Sequence, residues 1–183
     1  MTPEALSNIQ DLEEKLGLPQ EFFLKLSGED DWSFLIKLNA LFEAVSTDLR
    51  CKRLNAPELE DSFAHLDYGH PKYGKAKLLR RLGCITKNEE SFLKLLYELR
   101  NRVAHKVSDT SFCLSEHFDS LDANQKRNFL NAIIADGDAQ IYWNGEFRPK
   151  VEAIVAYPKS MMSYTAGDIL ASMCNQIGRA SNT

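Results

Sequence analysis

At 183 residues, with 44% hydrophobic and 26% charged side chains, the chain has the make-up of one folded domain, not of a disordered or fibrous protein. Its net charge of −4 argues against wholesale coating of nucleic acid, and no apolar run approaches the roughly 18 residues of a membrane span. The N-terminus lacks the basic-then-apolar order of a secretory signal, so cytoplasmic residence is expected, with Cys51, Cys84, Cys113 and Cys174 as reduced thiols.

Thr2-Pro3 opens a short helix to about Lys15, stopped by Gly17 and Pro19, and Gln20–Leu26 forms a second short helix. The acids Glu29, Asp30 and Asp31 then stand where the helix dipole favours them, at the start of a helix from Trp32 to Leu54. Trp32, Leu35, Leu38, Phe42, Val45 and Leu49 keep its helical period, while Asn39, Glu43 and Thr47 fall four apart on another face. Of these three, Glu43 is the candidate to orient an arginine or histidine. Pro57 begins a short helix to Leu66, and residues 67–71 read as a turn.

Lys72–Leu82 is a basic amphipathic helix ended by Gly83. Charge is distributed unevenly: residues 1–67 carry −8, residues 68–106 carry +7 and residues 107–183 carry −3. Lys72, Lys75, Lys77, Arg80, Arg81 and Lys87 run without an intervening carboxylate, which fits a polyanionic ligand or a solvated basic face.

The rest of the chain is organised around Thr86–Lys106. Thr86 and Glu89 have the spacing of a capping box, and Phe92, Leu95, Leu96, Leu99 and Val103 form the core stripe. At about 100° per residue, Asn101 and His105 project nearly opposite that stripe, with Arg100 on the adjoining edge. Leu93, Tyr97 and Ala104 lie beside them. Such an apolar margin next to polar groups predicts contact with a partner subunit.

Periodicity is lost over Ser108–Ser115. Asp122 and Gln125 cap a helix through Ala135, and Tyr142–Gly145 reads as a hairpin or an aromatic lid. Val151–Tyr157 is open between helix and strand, Pro158 breaks it, and Ser160–Ile177 is a last helix. The sum is an all-α, up-and-down helical bundle in a single domain, 1–183. Its core bundle is expected at about 31–136, after short N-terminal helices and before a C-terminal helical extension at about 137–183.

Familiar chemistries find no support. His65, His70, His105 and His117 are scattered without metal-ligand spacing, and neither a phosphate-binding glycine loop nor a GxSxG elbow occurs, so no metal or cofactor is expected. Arg100, Asn101 and His105 remain.

Leu99-Arg100-Asn101-x-x-Ala104-His105 resembles the R-x4-6-H signature of the HEPN superfamily, including the polar residue that commonly follows the arginine. A preceding helix ending Leu82-Gly83-x-Ile85, a polar cap and then Leu95 and Leu99 are also similar to the mannitol-repressor (MltR-like) branch. The resemblance is carried by about residues 72–107 and continues back to Trp32. It implies a dimer in which two copies of the motif face each other, and, in active members, metal-independent RNA cleavage through the ribose 2′-hydroxyl. On that basis His105 is the acid–base group, Arg100 holds the scissile phosphate and Asn101 orients either, with Glu43 in support. Lys72, Lys75, Lys77, Arg80, Arg81 and Arg102 are the candidate RNA contacts. A toxin or phage-defence setting, with an antitoxin or regulatory protein as partner, is implied as well. The MltR-like branch implies the alternative of a non-catalytic regulatory or nucleotide- or protein-binding module. One toxin branch carries a modifiable tyrosine two residues after the histidine; here that position is Val107, which argues against that route of regulation.

Overall fold

Asp30 starts the helix on which the others assemble: its carboxylate accepts from the Ser33 amide at 2.8 Å and from the Ser33 hydroxyl at 2.6 Å. In this computed structural model the described residues are 7, 9–11, 13–14, 16–66, 68, 70, 72–104, 111–134, 140–143 and 145–180. Among them, short helix α1 spans Phe22–Leu26 and is followed by α2, Asp31–Leu54. Asn55 ends α2 in the left-handed region at φ 48°, its N–H bonding back to the carbonyls of Cys51 and Lys52.

A 3₁₀ turn at Pro57–Leu59 leads into α3, Glu60–Ala64, and then come α4, Lys75–Arg81, and α5, Lys87–Ala104. Helices α6, Leu114–Ser120, and α7, Ala123–Ile134, precede an antiparallel hairpin of β1, Gln140–Trp143, and β2, Glu146–Pro149. Helices α8, Lys150–Ala156, and α9, Pro158–Ala180, complete the chain. The fold is all-α with one small hairpin.

Helix α2 is central because it is apolar on more than one side. Phe34, Leu35, Leu38, Leu41, Phe42, Val45 and Leu49 are all buried, and α1, α3, α4, α5 and α9 pack around it. The Trp32 indole donates to the Val103 carbonyl at 3.1 Å, and the Phe42 and Phe92 rings meet edge to face at 6.1 Å. The start of α2 thus meets the end of α5 and its middle meets the start of α5, so the two run antiparallel.

The C-terminal segment, expected as a helical extension of a core at about 31–136, packs on that core. Met161, Met162, Ala166, Ile169, Leu170 and Met173 are buried on α9, which lies along α2. Burying one leucine or isoleucine contributes about 1.5–3 kcal/mol, so α9 belongs to the core itself. Polar ties fix its position: Thr165 donates to the Ile133 carbonyl at 2.8 Å, and Lys159 pairs with Asp31 at 3.1 Å. Asp31 in turn accepts from the Leu114 amide at 2.7 Å, anchoring α6, a helix that periodicity did not suggest. Val151–Ala156, open between helix and strand from its pattern, is helical as part of α8. Tyr157 interrupts the helical course, and Pro158 opens α9, where its missing N–H costs nothing.

Tyr142 and Trp143 lie in the first strand of a hairpin, with Gly145 at φ 89° in the turn. No helix among the described residues is long and apolar enough to cross a membrane.

Candidate functional site

Helix α5 is begun by the reciprocal cap that the spacing of Thr86 and Glu89 predicts. The Thr86 amide donates to Glu89 Oε2 at 2.6 Å, and the Glu89 amide donates to Thr86 Oγ1 at 3.2 Å. Phe92, Leu96, Leu99 and Val103 are buried from the expected stripe, and Leu95 is half-buried. The Arg100–Asn101 pair therefore sits on a helix fixed at its first turn by the cap and along its length by the core.

The apolar margin of α5 is met by the chain itself. Leu93 is fully buried, and Tyr97 stacks on Tyr68 with ring centroids 6.3 Å apart and planes at 27°. Tyr68 shares a hydrogen bond of 3.2 Å with Ser46 of α2, and burial pushes its phenol well above the ordinary range. The margin from which a partner subunit is inferred is thus largely an internal contact, and only Ala104 of the three is exposed.

Arg100 and Asn101 are both half-buried, and Arg100 Nη1 donates to Asn101 Oδ1 at 3.0 Å. Adjacent residues on a helix diverge, so the long arginine side chain has to turn back across the helix to reach the amide. Among the described residues no carboxylate lies within ion-pair distance of Arg100. His105 and Val107 lie outside the described residues.

Glu43 is half-buried on α2 and accepts from Asn39 Nδ2 at 2.9 Å. Its charge acts on Tyr68 and Lys75, and neither a hydrogen bond nor an ion pair joins it to Arg100. Expected as a support for the arginine or histidine, it is not joined to Arg100, and its charge acts on Lys75 of α4.

The basic block divides. Lys75, expected to contact RNA, is only 2% exposed, and its ammonium donates to the Ala64 carbonyl at 2.8 Å. Burial pulls its pKa down, with Glu43 opposing. It closes the end of α3, and no RNA backbone reaches it there. Fully buried Arg50 does the same work beside it, donating to the Phe63 carbonyl at 3.3 Å and lying 4.8 Å over the Phe63 ring.

Lys72, Arg80 and Arg81 are exposed, as a phosphate contact requires, and Lys77 is half-buried. Lys77, Arg80 and Arg81 of α4 and Lys87 and Lys94 of α5 line a groove of about 440 Å³. Its one carboxylate among the described residues, Glu90, is buried between Lys94 at 2.9 Å and Lys77 at 3.5 Å. Burial pushes the Glu90 carboxyl up, but the neighbouring ammonium groups of Lys94 and Lys77 outweigh it and hold it below the ordinary range. Cations therefore predominate over carboxylate along this groove.

Arg102 is exposed on the other flank of α5, two positions and about 200° of helix from Arg100. It lines a second, larger cleft of about 970 Å³, shared with α6 and α7. The sequence pattern thus gathers Arg100, Asn101 and Arg102 into one stretch, while the helix sends Arg102 to a surface apart from the Arg100–Asn101 pair.

No protein family, curated protein or solved structure matches this chain. The site therefore rests on its own geometry.

His117, read as one of several scattered histidines, lines the same cleft as Arg102. Burial, and then the charge of Arg102, lower its pKa, and its Nδ1 is buried without a hydrogen-bond partner among the described residues. Nothing in the local sequence marks it, because its partners across the cleft come from α5 and α7, with Phe112 packing on its ring from nearby at 5.5 Å. Among the described residues no group of three or more His, Cys, Asp and Glu side chains is placed to hold a metal ion.

Proposed function

We propose that the chain is a HEPN-like, metal-independent endoribonuclease acting as a cytoplasmic homodimer, with Arg100, Asn101 and His105 as its reacting residues. The observation that carries this reading is the Arg100 guanidinium. It is half-buried and steadied by a neutral amide at 3.0 Å, with no described carboxylate to neutralise it. A planar donor held in this way suits the extra charge that builds on a phosphate under attack.

A second feature supports a nucleic-acid strand. Lys87, Lys94 and Asn101 recur every seven residues, which keeps them on one face of α5 in steps of about 10 Å. The wall of the basic groove therefore leads along the helix to Asn101. In this reading His105 takes the proton from a ribose 2′-hydroxyl as its oxygen attacks phosphorus, and the bond to the 5′-oxygen breaks. The second copy of the motif in the homodimer returns a proton to that leaving oxygen. The products are a 2′,3′-cyclic phosphate and a free 5′-hydroxyl. A toxin or phage-defence role, restrained by an antitoxin or regulatory protein, suits such an activity.

The test is incubation of purified protein with end-labelled RNA in EDTA between about pH 6 and 8, where an imidazole changes charge. Cleavage that yields cyclic phosphate and disappears in His105→Ala and Arg100→Ala is expected. Intact RNA from folded, dimeric protein sinks the proposal. Were Arg100→Ala then to shift the monomer–dimer equilibrium in sedimentation, the non-catalytic MltR-like module would be the better description.

A further inference from the structure

The cleft between α5 and α7 has a composition of its own. At about 970 Å³ and open to solvent, it is large enough for a small-molecule ligand. Leu99 and Phe129 are buried in its floor, with Leu95 and Leu121 half-buried beside them. Lys87, Lys94 and Arg102 stand around that floor, and Glu98 is the one carboxylate among the described residues that line it. Lys94 is engaged by Glu90 at 2.9 Å, which leaves Arg102 and Lys87 as the cations facing the opening. Asn128 and Asn131, three apart on α7 and therefore on one face, add exposed amides on the opposite wall.

His117 closes the far side. Its ring is half-buried there, and burial, then the charge of Arg102, lower its pKa. An apolar floor, a cationic rim and neutral hydrogen-bonding walls form a consistent set. A wholly polar ligand would leave the floor wet, and a wholly apolar one would strip water from Arg102 without replacing it.

We propose that this cleft binds a small amphipathic organic anion: an apolar or aromatic body against Leu95, Leu99 and Phe129, with its carboxylate or phosphate held by Arg102. The site shares Lys87 and Lys94 with the basic groove but does not include Arg100 or Asn101, and it does not depend on the ribonuclease reading.

The experiment is an NMR titration of amide-labelled protein with four probes: 4-phenylbutyrate, phenyl phosphate, 4-phenylbutyramide and acetate. A hydrogen bond to a charged group contributes about 1.5–3 kcal/mol, equivalent to roughly tenfold or more in affinity. At least one aromatic anion should therefore bind roughly tenfold more tightly than both the neutral amide and acetate, shifting resonances of α5 and α7. Stronger binding of phenyl phosphate or of phenylbutyrate tells a phosphate ligand from a carboxylate one. Arg102→Gln, at an exposed position that keeps the fold by circular dichroism, should weaken binding by about the same factor. Arg100→Ala should leave it unchanged. Equal binding of amide and anion, no binding of either aromatic anion at about 10 mM, an unaffected Arg102→Gln, or loss in Arg100→Ala would each overturn the proposal.

Discussion

Tyr97 on α5 lies against Tyr68, their centroids 6.3 Å apart. This contact changes the meaning of the helix that carries Arg100. An apolar residue beside a polar cluster suggests a surface awaiting a second subunit, but here the ring is supported from within the chain. Tyr68 is itself held by Ser46, so α2 supports α5 through two aromatic rings as well as through the core.

Tyr68→Phe isolates the polar part of that support. The phenylalanine ring keeps the stack, while the buried Ser46 hydroxyl loses the partner it has at 3.2 Å. A lost hydrogen bond of this kind costs about 1 kcal/mol. A drop of that order in unfolding free energy, measured by urea denaturation with an unchanged m-value, is expected. No change would mean that Ser46 re-pairs elsewhere on α2.

The basic segment should divide the same way in solution as in the structure. Arg81→Gln and Lys72→Gln remove exposed charges and should leave stability within about 0.5 kcal/mol, while weakening any RNA binding and flattening its salt dependence. Lys75→Met removes the bond to the Ala64 carbonyl and should lower stability by about 1–3 kcal/mol. Thermal unfolding paired with RNA binding across a salt series checks both halves. A Lys75 variant with full stability and weakened RNA binding would place that lysine at the surface after all.

Helix α5 was legible because its signals are local: the Thr86–Glu89 cap and the apolar period lie within one segment. Hence Arg100 and Asn101 could be placed on their faces from spacing alone. The position of α9 was not legible in the same way. Ser160–Ile177 reads as a helix, but only its packing along α2, with Met161, Ala166 and Ile169 buried, shows that it completes the core. Lys75 fails as a surface lysine for a similar reason, since its partner carbonyl lies eleven residues earlier in a short helix. His117 could not be singled out at all, because the residues that give it a role come from two other helices.

The lowered pKa of His117 gives a signed pH dependence. Burial and Arg102 place its folded value below the ordinary 6.5, so between the two values the unfolded chain binds a proton that the folded chain does not. The contribution is complete above pH 6.5 and is lost as pH falls through the lowered folded value. Melting temperatures of the wild type should therefore drop between about pH 7.5 and 5.5 by more than those of His117→Gln. Parallel curves would show that the imidazole titrates alike in both states.

Gly74, at the start of α4, is constrained by space and not by its backbone angle, since its φ of −63° suits any residue. A Cβ there would lie 2.5 Å from the His70 carbonyl oxygen, 2.6 Å from the His70 nitrogen and 2.7 Å from the Tyr68 carbonyl oxygen. All three are backbone atoms, so no side chain can swing aside, and the turn that delivers Tyr68 to Ser46 and Tyr97 must open. Gly74→Ala should cost about 1–3 kcal/mol, the range for overpacking at a tight contact. Because Tyr68 is displaced with it, hydrogen exchange should quicken along α5 near Tyr97 as well as in α4. Destabilisation confined to α4 would show that the Tyr68 stack adds no support to the helix bearing Arg100.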